Sequence, residues 1–67
     1  MTLATILTAR NLRLVDNSGT GDAPSIDRAI PRADARALVQ ELAAAGVEAS
    51  DAPDNDDRSL SWVYVGS

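Results

Sequence analysis

The densest stretch of potentially reactive side chains is Asp51–Arg58, DAPDNDDR, in which Asp51, Asp54, Asn55, Asp56 and Asp57 all offer hard oxygen donors. Calcium takes about six to eight such oxygens, so an EF-hand-type loop is the first chemistry to test. Both possible starts fail. Counting from Asp54 puts Asp56 third but Arg58 fifth, and counting from Asn55 puts Leu60 where that loop requires glycine. Neither register ends in the bidentate glutamate, so the spacing predicts a solvated loop or a contact for a basic partner, with no metal and no cofactor. Paired carboxylates can also serve glycoside hydrolysis, but that needs a sugar-binding cleft. A chain of 67 residues with one tryptophan and one tyrosine has little material for one. Trp62 and Tyr64 therefore read as packing or interface residues. The glycines of Asn17–Ala23, NSGTGDA, do not make a phosphate cradle. A P-loop needs a following lysine and hydroxyl, and a dinucleotide fingerprint needs three glycines.

Composition narrows the chemistry further. Cysteine and histidine are absent, and every basic side chain is arginine. Disulfides, thiolate nucleophiles, imidazole bases and lysine Schiff bases are thereby excluded, and the chain is expected not to be an enzyme. The formal charge is −4 and the sequence pI about 4.3. A broad basic face for DNA or RNA is ruled out by that sign, as is attraction to an anionic membrane. No apolar run is long enough for a membrane span, and Met1–Ala9 lacks the basic start of a signal peptide, so a cytoplasmic location is expected.

A negative field favours a basic partner. Carboxylates occur at Asp16, Asp22, Asp27, Asp34, Glu41, Glu48 and through the Asp51–Asp57 loop. Glu48 and the loop are expected at one end of the sheet, near the hairpin tip. Carboxylates spaced over a compact surface can imitate duplex phosphates and occupy an arginine- and lysine-lined groove; the plain alternative is that they serve solubility. The candidate partner-binding residues are Glu48, Asp51, Asp54, Asp56, Asp57, Trp62 and Tyr64.

The elements that position these residues centre on Pro31–Gly46. Ala35, Leu38, Val39, Leu42 and Ala45 fall at helical steps of three and four. Pro31 suits the first helical position, Asp34 the first turn, and Gly46 a left-handed stop. Thr2–Ala9 carries threonines beside Ile6 and no evident cap, which favours a strand. Arg10–Asp16 alternates as a second strand, the two joined through a bulge near Ala9–Asn11. Asn17–Ala23 is a hairpin turn and Ser25–Ile30 its return strand. Val47–Ser50 reads as a short edge strand, Asp51–Arg58 as a loop, and Ser59–Val65 as a central strand with Leu60, Trp62 and Tyr64 on one face. The order predicts one α+β domain over residues 1–67, a small antiparallel ββαββ sheet with one helix packed on one face. Core candidates are Ile6, Leu12, Leu14, Ile26, Ile30, Leu38, Val39, Leu42, Val47, Leu60, Trp62 and Val63. So few side chains leave a thin margin of stability, which a homodimer through the second sheet face would widen.

With Glu48, Asp51, Asp54, Asp56 and Asp57 as its densest carboxylates, this short, cysteine-free, acidic chain resembles the small phage proteins that inhibit bacterial defence, notably anti-CRISPR proteins. The resemblance covers the whole length as a format and rests on no motif. It implies binding to a CRISPR effector subunit where target DNA would enter, in the host bacterial cytoplasm. A local similarity also exists: ARALVQELAAAGVEA followed by SWVYVG looks like one half of the peptidoglycan-binding SPOR repeat. That similarity implies a structural interaction module, although neither a leader nor a duplicated half is read from the sequence.

Overall fold

The computed structural model describes residues 2–66. Its first element is a helix, α1 (Leu3–Ala9), where the sequence predicts a strand. Thr2 is the cap that reading lacked: its hydroxyl accepts the Thr5 N–H at 3.2 Å. Leu3, Ile6 and Leu7 then share a stripe, and Ile6 and Leu7 are fully buried. The helix stops at Asn11, which adopts φ +60°. The Asn11 N–H returns to the Thr8 carbonyl at 3.0 Å and the Leu12 N–H to the Leu7 carbonyl at 2.8 Å. Asparagine tolerates this left-handed position better than other residues with a β-carbon, so a helix end replaces the expected bulge near Ala9–Asn11.

Only β1 (Leu14–Val15) is extended in the Arg10–Asp16 segment. A single 3₁₀ turn at Ser18–Thr20 leads to β2 (Ser25–Ile26), which pairs antiparallel with β1. The predicted return strand Ser25–Ile30 is interrupted: β3 (Ile30–Pro31) is separate. Ser25 lies opposite Tyr64 and Ile30 opposite Ser61, so five steps on one side match three on the other. The surplus bulges out at Asp27 and Arg28. There the Asp27 carboxylate accepts the Arg13 N–H, and the Arg28 guanidinium reaches the Asn11 carbonyl at 2.8 Å. The bulge therefore holds the end of α1.

Helix α2 (Arg32–Ala44) follows the prediction closely, with Pro31 one place earlier than expected, at the N-cap. Pro31 also pairs with Leu60, and the Arg32 N–H bonds the Ser59 carbonyl at 3.2 Å. Gly46 takes φ +81°, with its N–H on the Ala43 carbonyl and the Val47 N–H on that of Leu42. Strand β4 (Ala49–Pro53) is longer than predicted and takes in Asp51–Pro53, which the sequence assigns to a loop. It pairs along its length with β5 (Leu60–Val65).

The result is an α+β fold with a five-stranded antiparallel sheet in the order β1-β2-β5-β3, β4 lying on the far side of β5. A leading helix and the division of β2 from β3 depart from the simple ββαββ order. Ser61, Val63 and Val65 of β5 are buried beneath Ala35, Leu38 and Leu42 of α2, with Ile6, Leu7, Leu12 and Ile26 completing the core. Leu14 is 42% exposed, so its place among the core candidates is corrected: β1 is an edge with no layer over it. Leu60 and Trp62 are half-buried because they point to the sheet face that carries no helix.

Candidate partner-binding surface

The β4–β5 hairpin carries all seven candidate residues, Glu48 standing immediately before it. Strand alternation and register distribute them. Cross-strand partners share a face, so Tyr64 stands over Ser50 and Ser25, and Trp62 over Ala52, on the face away from α2. Asp51 pairs with Val63 and lies on the helix side, exposed at the sheet's margin.

The turn between the strands has its own order. The half-buried Asp54 accepts the Trp62 indole N–H at 3.2 Å, tying the aromatic ring to an acidic neighbour. Its own N–H bonds the Leu60 carbonyl at 3.1 Å. Asp57 accepts the Ser59 hydroxyl at 2.6 Å and the Ser59 N–H at 3.0 Å. These two bonds, the hydroxyl first, hold the Asp57 carboxyl below its ordinary value of 3.8. Asp56 is exposed. Among the described residues, no three carboxylates come together at a spacing that could hold a metal ion.

The expected clustering of Glu48 with the loop is corrected. Strand β4 lies between them, and six extended residues separate Glu48 from Asp54 by roughly 20 Å. Glu48 sits at the other end, where its carbonyl accepts the Gly66 N–H at 2.8 Å and Val65 donates to Pro24 beside the β1–β2 turn. Asp54, Asp56 and Asp57 stay together with Trp62, while Glu48 and Tyr64 belong to the opposite end of the hairpin.

A division of charge accompanies this geometry. Residues 1–45 hold five arginines and five carboxylates and are neutral, whereas residues 46–67 hold five carboxylates against Arg58 and carry the whole −4. Within the neutral part the charges pair internally: Arg10 with Glu41 at 3.0 Å and Arg28 with Asp27 at 3.3 Å. The Arg28 hydrogen bond is the leading cause that lowers the Asp27 carboxyl. Among the described residues, neither ion pair involves the hairpin. What the residue-by-residue reading missed is this segregation, which a running sum of charge displays, and the strand character of Asp51–Pro53.

No protein-family model, curated protein or solved structure matches the chain. No helix among the described residues is long and apolar enough to cross a membrane.

Proposed function

We propose that the chain is a non-enzymatic binding protein whose β4–β5 hairpin docks on a basic protein surface of the kind that otherwise holds nucleic acid. The observation that carries this reading is the confinement of the whole −4 charge to residues 46–67, on one hairpin that also presents Trp62 beside Asp54. Exposed carboxylates with no arginine pairing them project a negative potential that speeds encounter with a positive groove. The half-buried ring of Trp62, held by its indole N–H, supplies apolar area and a stacking face for an arginine guanidinium. A CRISPR effector subunit, the partner implied by the anti-CRISPR resemblance, is the specific target of this proposal.

The test is binding to a purified CRISPR effector with target DNA as competitor. The chain is expected to compete with DNA, with affinity falling as salt rises. Replacing Asp54, Asp56 and Asp57 together by asparagine should slow association about tenfold or more at low salt while the fold persists. If that triple variant competes as well as the parent, and a folded Trp62→Ala variant does not, recognition runs through the apolar sheet face and the charge-based reading is wrong.

A further inference from the structure

The two hydrogen bonds that frame the hairpin reveal which backbone groups of β4 remain open. Asp54 donates to Leu60 at 3.1 Å, and Gly66 donates to Glu48 at 2.8 Å. In an antiparallel ladder alternate residues turn both backbone groups toward the partner strand. Residues in step with Glu48 and Asp54, namely Ser50 and Ala52, therefore face β5. Ala49, Asp51 and Pro53 direct theirs the other way. Strand β4 pairs with β5 alone, so these outward groups meet no strand. Proline, with no N–H to offer, occupies one of the outward positions, where it costs the ladder nothing.

An unpaired edge of this kind is a template for another extended segment. At five residues β4 is much longer than the other edge strands, β1 and β3, which have two each. The ground beside it is open: a concavity of about 550 Å³ adjoins Glu48, Ala49 and Ser50, walled by Ala43 at the end of α2. Charge selects the occupant. Val47–Asp57 contains five carboxylates and no arginine or lysine. A second copy would lay an equally acidic edge against this one, setting like charges opposite each other. A basic segment meets attraction at Glu48, Asp51 and Asp54.

We infer that the free edge of β4 takes up an extended, arginine- or lysine-bearing segment of the partner as an added strand. This deepens the docking proposal and rests on it: the partner's basic surface contributes backbone hydrogen bonds to Ala49 and Asp51 as well as charge.

The probe is an acetylated and amidated peptide of alternating arginine and valine, about seven residues long to match the strand. Amide hydrogen exchange of the unmodified chain is followed by NMR with and without the peptide. Saturation should slow exchange at the Ala49 and Asp51 amides by at least about tenfold, while Ser50 and Ala52, already bonded to β5, change little. Ala49→Pro removes one outward donor and keeps every carboxylate; it should weaken the peptide about three- to tenfold. Asp51→Asn keeps the backbone and should weaken binding more at low salt than at high salt. A peptide that binds in a salt-dependent way without slowing exchange at Ala49 and Asp51 overturns strand addition and leaves acidic docking standing. A peptide that does not bind overturns strand addition too, and the docking proposal is then judged separately by the competition with DNA.

Discussion

Residues 2–45 and the β4–β5 hairpin use ionised side chains in opposite ways. In the first region Arg10 ties the end of α1 to Glu41 on α2, and Arg28 ties the bulge to Asp27 and to the end of α1. Charge there joins elements and cancels. In the hairpin the carboxylates bond to Ser59 and to the Trp62 indole, which are neutral partners, and their charge is left facing outward. Yet the hairpin is no appendage, because β5 supplies Ser61, Val63 and Val65 to the core. One strand thus anchors the fold on one face and offers the aromatic residues on the other. Stability and recognition are divided between faces of β5 rather than between domains.

That division is broken most forcefully from the packed side. Leu38 is fully buried between α2 and the sheet. Leu38→Ala should destabilise the chain by about 2–5 kcal/mol, measured by urea unfolding. The triple replacement of Asp54, Asp56 and Asp57 should move the same midpoint by only about 1 kcal/mol or less, since exposed polar changes rarely do more. Equal losses would show that the hairpin turn holds the fold together.

A middle-sized effect belongs to Asn11. With φ at +60°, Asn11→Ala should cost about 1–2 kcal/mol, while Asn11→Gly should hold or raise stability. Thermal unfolding of the two variants decides it, and a loss from glycine as large as that from alanine would count against a backbone origin.

The smallest effect is a pH dependence at Asp57. Its folded-state value is depressed, so the stability it contributes is fully present above the unfolded value near 3.8 and is lost as pH falls through the lower folded value. Asp57→Asn should flatten unfolding midpoints in that acidic window alone. A change confined to neutral pH would contradict the sign of the shift.

The sequence was legible where local signals agreed with the tertiary context. The α2 stripe, the Gly46 stop and the faces of β5 followed from spacing alone. Helix α1 did not. Its seven residues are too few for a stable isolated helix, and threonine speaks for strands, so burial of Ile6 and Leu7 had to settle the matter. Thr2 and Asn11 were the available signals, a cap before and a left-handed stop after. Asp51–Pro53 was illegible for a different reason. Aspartate and proline are poor strand residues, and only pairing with Trp62 and its neighbours, far along the chain, extends them. For the candidate surface, residue types were readable and distance was not. Nothing local tells that Glu48 and Asp54 lie at opposite ends of a strand.

The place of β5 has a consequence for how the molecule comes into being. It is the last strand in sequence order, and β2, β3 and β4 all pair with it. While the chain is being synthesised, every earlier strand except the short β1–β2 pair therefore waits for its partner. α2 emerges with Leu38 and Leu42 having no Val63 or Val65 to rest on. The helices can form as they leave the ribosome, but the sheet closes in one late event, when β5 threads between strands already made.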